Sequence, residues 1–218
     1  MTDPKLSRRP LTSRSTKWAA AIASWLVKKR VQPNNISVLS VVFASVAGMA
    51  LIGAGCVGFG WRVVFFLIAA AGIQLRLACN MFDGMVAVEG GCKTKSGEIY
   101  NELPDRFADV LIIAGAGYSL PYSPWLQTLG WMAAALAVIT AYVRAMGVAA
   151  GAGQYFLGPM AKPHRMAVLT VACLGLAVLT LCRSKFDLMQ VTLLVLCAGC
   201  LVTIARRVIR IVRELEAK

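Results

Sequence analysis

The sequence predicts an all-α integral membrane protein: six transmembrane helices preceded by an interfacial amphipathic helix. Three observations predict it. Of 218 residues, 58% are hydrophobic and only 15% charged, against about a quarter charged in soluble domains. Mean hydropathy is +0.68. Long runs lack any charge, as between Val31 and Trp61 and again from Val110 to Val143. A soluble domain this apolar cannot cover its surface with polar groups, so most of its solvent is lipid. The same balance excludes an ordinary cytosolic domain, a disordered tail and a nucleic-acid binder, despite a net charge of +13.

The elements follow in order. Residues 1–14 form a basic tail, and residues 15–30 a short helix. Trp18, Ile22 and Trp25 recur there at helical spacing, and Lys28, Lys29 and Arg30 close it. Aromatic residues on one side with basic residues at the end suit a helix lying flat in the headgroup layer. The first span covers roughly Ile36 to Gly58, since about 20 apolar residues cross about 30 Å of hydrocarbon. A second starts near Trp61 and runs past Cys79, and a third runs from about Ile99 to before Pro121. Pro121 and Pro124 separate it from a fourth that starts at Trp125. The fifth covers about Met166 to Cys182, and the sixth Leu188 to about Ala205. Together they form one six-helix domain over residues 31–210, with 211–218 as a tail. Such segments are too long and too uniformly apolar for barrel strands. The apolar run that opens the domain is longer than a signal-peptide core and has no clear cleavage site, so no signal peptide is expected.

Basic residues set the orientation. Eighteen of the 23 Lys and Arg fall in the N-terminal segment, the loops after spans two and four, and the C-terminus. Both termini are therefore expected in the cytoplasm, and the host membrane is expected to be a bacterial inner (plasma) membrane. The charge is a topology signal and an attraction to anionic lipid. The seven Cys are odd in number and mostly lie in or beside apolar runs, which excludes a disulfide framework. Cys197 and Cys200 form a CxxC inside an apolar helix without a second pair, so small buried side chains are expected there rather than a metal site.

Six of the ten acidic residues crowd into one stretch: Asp83, Glu89, Glu98, Glu102, Asp105 and Asp109. Acid at the edge of a span is expensive and marks function. Arg76, Asn80, Asp83 and Ala87 step by four, three and four, and so share one helix face. Gly97, Asn101, Asp105 and Asp109 step by four on the next helix. A short loop makes the two helices antiparallel neighbours. Four oxygen-bearing side chains, Asn80, Asp83, Asn101 and Asp105, then form a seat for a hard cation such as Mg²⁺. Gly84 and Gly97 leave room for a bulky ligand beside it.

Asn80-x2-Asp83-Gly84-x2-Ala87-Val88-x8-Gly97-x3-Asn101-x3-Asp105 resembles the signature of the CDP-alcohol phosphotransferases, D-x2-D-G-x2-A-R-x8-G-x3-D-x3-D, with every spacing kept. Pro33-Asn34-Asn35-Ile36-Ser37 is similar to the segment that precedes the first long span in that family, and Ala141-Tyr142-Val143-Arg144-Ala145 to its fourth-span end. The likeness covers roughly residues 10 to 210. It implies a membrane enzyme of phospholipid biosynthesis. A CDP-linked donor, usually CDP-diacylglycerol, gives its substituted phosphate to an alcohol acceptor and releases CMP. It further implies divalent ions (Mg²⁺ or Mn²⁺, one or two) on the acidic positions, Asp105 as general base, and cytidine against Asp83, Gly84, Ala87 and Gly97. A fold of six transmembrane helices around a cytoplasm-facing polar cavity, and a homodimer in membrane lipid, are implied as well.

Three positions depart. Asn80 and Asn101 replace the first and third Asp, and Val88 replaces the Arg. The formal charge of the four-position seat falls from −4 to −2 in consequence. Either one ion binds, or neighbours such as Glu102 and Asp109 assist. Arg76 either faces the diphosphate or pairs with Asp83 or Asp105. Arg144 and Arg165, with Lys162 and His164, either clamp an anionic acceptor or merely obey the positive-inside pattern. Two other classes stay open: a non-catalytic nucleotide-lipid binder or scaffold, which the Asn pair and Val88 favour, and a small transporter. The transporter lacks its mark of helices broken at mid-membrane.

Overall fold

The computed structural model describes residues 16–90 and 97–218, without the side chains of Glu89, Glu98 and Asn101. Among these residues the chain forms seven α-helices and no strand: α1 (Lys17–Lys28), α2 (Pro33–Cys56), α3 (Phe59–Glu89), α4 (Gly97–Ala116), α5 (Pro124–Ala149), α6 (Lys162–Leu181) and α7 (Leu188–Leu215). Prolines open α2, α5 and α6, where a missing backbone N–H costs nothing. Ser123 and Asp187 cap α5 and α7 by accepting from Leu126 N and Gln190 N. The basic tail at 1–14 lies outside the described residues.

Five helices, α2, α3, α5, α6 and α7, are long and apolar enough to cross a membrane. The span expected near Ile99 is helical over 20 residues as α4, yet it is apolar only in its second half. Its first half carries Glu102, Pro104, Asp105, Arg106 and Asp109. Asp105 and Asp109 turn inward, where basic side chains of α3 and α6 meet them, and Glu102 pairs at the rim with Arg144 of α5, so α4 sits in the bundle without passing as an apolar segment. At 31 residues α3 is about 46 Å long, well beyond the apolar thickness of a bilayer. Asp83 lies in its last two turns.

Both α3 and α4 pack along α2. The expected face-to-face pairing of α3 with α4 is not what forms. The two helices make little packing contact of their own, and the long Arg76 side chain of α3 spans the space to Asp105 and Asp109 of α4. The wedge arises from backbone approach elsewhere. A Cβ on Gly48 of α2 would stand 2.5 Å from Leu111 O of α4, and one on Gly115 would stand 2.9 Å from Gly48 Cα. Small residues let membrane helices approach this closely. Meanwhile α6 covers α3, α5 covers α4, and α7 closes the bundle against α5 and α6.

On the outside, α1 buries Ala19 and Ala23 against Met81 and Met85 of α3, with Trp18 edge-on to Phe82 at 6.2 Å between centroids. Its Trp18, Ile22 and Trp25 remain exposed, leaving an apolar face open to the surroundings. Gly48→Val forces α2 and α4 apart and is expected to destabilise the fold by about 1–3 kcal/mol. Thermal unfolding in detergent checks this, against Gly60→Ala as control, where an added Cβ meets nothing within 4 Å and the midpoint does not fall.

Candidate functional site

The polar side chains converge at one end of the bundle, where α2, α4 and α6 begin and α3, α5 and α7 end. Ser37, in the first turn of α2, donates to Asp83 Oδ2 at 2.7 Å. Asp83 is 5% exposed, and Ser37 also reaches back to Pro33 O. The Pro-Asn-Asn-Ile-Ser segment thus holds one of the two acids by side-chain contact. Asp83 also lies within electrostatic reach of Asp105 and Lys162. Asn80, one turn before Asp83, has a buried amide nitrogen with no hydrogen-bond partner among the described residues.

Asp105 is the crossing point. Arg76 approaches its Oδ1 at 3.5 Å, Arg106 its Oδ2 at 4.0 Å, and the Lys162 ammonium pairs directly with Oδ2. One turn deeper, Asp109 is fully buried between two guanidinium groups. Arg76 Nη2 donates to Oδ1 at 2.7 Å, and Arg165 Nη2 to Oδ2 at 2.6 Å. Arg165 further donates to Thr140 Oγ1 and Met160 O, while Arg207 donates to Thr140 O and Leu157 O. A single chain of charge-assisted bonds therefore ties α3, α4, α5, α6 and α7 together. At the rim Glu102 accepts from Arg144 at 2.5 Å and from Arg106 at 3.1 Å, and Arg144 lies over the Phe156 ring.

The two acids of the motif, Asp83 and Asp105, are thus brought into one site. Gly84 and Ala87 are half-buried on α3, and Gly97 opens α4. Asn101 lies on α4 one turn before Asp105, and its side chain is outside the described residues. Of the two alternatives for Arg76, the geometry contains an ion pair, with Asp105 and more tightly with Asp109. Arg165 likewise points inward, at 2% exposure, whereas Arg144 stays at the rim. Among the described residues no group of three or more His, Cys, Asp or Glu is placed to hold a metal ion. Asp109, expected at most to assist the cation seat, instead organises the buried network. Sequence reading missed one feature. The Lys162–Asp105 pair had no local signal, because the partners are 57 residues apart on different helices.

No protein-family model matches the chain. The inner membrane protein YnbA of Escherichia coli (strain K12) is 30% identical over 88 residues, which is 40% of this chain and 41% of that relative. The match therefore spans less than half the length of that curated protein. Among solved structures, Mycobacterium tuberculosis phosphatidylinositol phosphate synthase (PgsA1) with CDP-DAG bound superposes with a TM-score of 0.72 at 17% identity, covering 88% of this chain and 92% of that one. The fold is that of a CDP-alcohol phosphotransferase. The same synthase in complex with manganese and citrate gives a TM-score of 0.72 over 88% and 87% of the two chains, and its apo form 0.68 over 88% and 94%, both at 17% identity.

The network makes Asp109 the most sensitive of the acids to substitution. Asp109→Asn removes the counter-charge between two buried guanidinium groups, leaving Arg76 only its longer approach to Asp105, at a cost of about 3–5 kcal/mol. Thermal unfolding in detergent is expected to show a far larger loss for Asp109→Asn than for Glu102→Gln, whose carboxylate is 41% exposed.

Proposed function

We propose that this chain is a membrane phosphotransferase that moves a phosphatidyl group from a CDP-linked donor, of the CDP-diacylglycerol class, to the hydroxyl of an alcohol, releasing CMP in phospholipid synthesis. The observation that carries the reading is the convergence of Asp83 and Asp105, from two helices, among cationic side chains at the basic end of a bundle with this fold. In this reading six helices span the membrane, α4 included. The polar site opens to the cytoplasm of a bacterial inner membrane, where both termini lie. The six-helix domain runs over 31–210, and α1 lies in the interface.

Each residue has a role that its position supports. The alcohol oxygen forms a bond to the phosphorus of the phosphatidyl group, the P–O bond to CMP breaks, and the alcohol proton passes to the Asp105 carboxylate. Gly84, Ala87 and Gly97 present little side-chain bulk and flank the cytidine beside Asp83. Two carboxylates and an amide suit a hard divalent ion. Asp83 accepts only the Ser37 hydrogen bond among the described side-chain contacts, and the Asn80 amide is not locked by a partner at its nitrogen. Asn80, Asp83, Asn101 and Asp105 would hold Mg²⁺ or Mn²⁺, which when bound supplies charge neutralisation and polarisation at the diphosphate. Arg144, at the rim, fits an anionic acceptor. Arg76 and Arg165 fit an indirect part, because Asp109 engages both. Anionic lipid and a second copy of the chain complete the partners of this reading.

A second reading has a specific observation in its favour. With Asn80 and Asn101 in place of acids and Lys162 on Asp105, the chain would bind a nucleotide lipid without turning it over. Purified protein given CDP-diacylglycerol, Mg²⁺ and a panel of alcohols separates the two, with CMP and lipid products read by mass spectrometry. CMP release is expected, and Asp105→Asn is expected to lower it at least about 100-fold. Binding without release supports the second reading. Arg144→Ala is expected to raise KM for the alcohol more than for the donor in steady-state kinetics.

A further inference from the structure

The Lys162 ammonium pairs directly with Asp105, although it comes from the first residue of α6. A cation there opposes the positive end of the helix dipole, so nothing local favours it. Its place is nevertheless well determined. Gly158, at φ +116°, sets the preceding turn, and a Cβ there would stand 2.5 Å from Thr203 of α7. Met160 N donates to Thr203 Oγ1 at 3.1 Å, and Arg165 donates to Met160 O at 2.7 Å. Arg207 holds Leu157 O at 3.0 Å. The segment that delivers Lys162 is therefore fastened to α7 and to the buried arginine network.

Charge is the second observation. Four described carboxylates meet at this end of the bundle, Asp83, Glu102, Asp105 and Asp109. Five basic side chains face them, Arg76, Arg106, Arg144, Lys162 and Arg165, for a net of +1. A site with this balance attracts an anion, and a second divalent ion added beside a first costs more than the first did. Buried Arg76 Nε and Nη1 and Arg165 Nε have no acceptor among the described residues, so the site holds more donors than acceptors.

We propose that Lys162 is the resident cation of this site: its ammonium does the electrostatic work of a second metal ion, and the chain takes one divalent ion per site. The assignment rests on the diphosphate-binding reading above. With Asn80 and Asn101 each one charge short of an aspartate, a fixed ammonium on Asp105 leaves the capacity for a single dication. The same ammonium faces a bound diphosphate. Lys162 thereby becomes a functional residue that the acidic motif does not contain.

The test is Mn²⁺ titration of full-length protein in lipid nanodiscs, with free Mn²⁺ followed by electron paramagnetic resonance and CDP-diacylglycerol present. The wild type is expected to bind one Mn²⁺ per chain. Lys162→Met, which keeps the stem and removes the charge, is expected to bind a second Mn²⁺ or to hold the first at least tenfold more tightly. Lys162→Arg is expected to match the wild type. Lys162→Gln serves as a second neutral variant should Lys162→Met fail to fold. Two Mn²⁺ on the wild type, none on either form, or identical binding by the wild type and the neutral variants would each overturn the assignment. CMP release is measured on the same samples. One-ion binding with a Lys162 effect but no CMP release would overturn the enzymatic reading and leave the Lys162 assignment standing.

Discussion

Two guanidinium groups lie in the interior of this bundle because one carboxylate, Asp109, lies between them. Arg76 and Arg165 come from α3 and α6, and Asp109 from α4, which has no strong packing of its own against α3. Remove the carboxylate and two like charges face each other in a medium that screens poorly. With it in place, five helices share one hydrogen-bonded chain that runs through Thr140 and the Met160 carbonyl to Arg207. The positions of Asp105 and Lys162, one turn above the network, follow from it.

The hydropathy pattern was enough to read most of the helices, because lipid allows few ways to satisfy a backbone. Prolines 33, 124 and 163 near helix starts, and the Pro121–Pro124 break, set boundaries that the structure keeps within a few residues. The placement of α4 was less legible. Its acids were expected to seat a cation against α3, whereas Arg partners far away in sequence engage Asp109 in the interior. Spacing put Asp105 and Asp109 on one face, and both do meet Arg76. Spacing could not supply the wedge of α2 between α3 and α4, which depends on Gly48 and Gly115 lacking side chains at the crossing.

The same limit applies to the site. Asp83 and Asp105 were visible as a motif, and their convergence is three-dimensional. Ser37 belonged to a recognisable segment, but only the fold turns its hydroxyl to Asp83. Lys162 was invisible as a partner for Asp105, since charge complementarity between distant helices leaves no periodic trace. The exchanges to Asn80 and Asn101 look like losses when the motif is read alone. Set beside Lys162 they are part of a different charge balance, with fewer acids and a built-in cation.

The central claim is that Asp83 and Asp105 jointly receive a divalent ion and the diphosphate of a nucleotide lipid. Crystals grown with Mn²⁺ and CDP-diacylglycerol, with anomalous scattering recorded at the manganese edge, address it most directly. The account predicts one peak ligated by both carboxylates, with the diphosphate against it and cytidine beside Gly84 and Ala87. A peak elsewhere in the bundle, or a nucleotide seated away from these two residues, would contradict it.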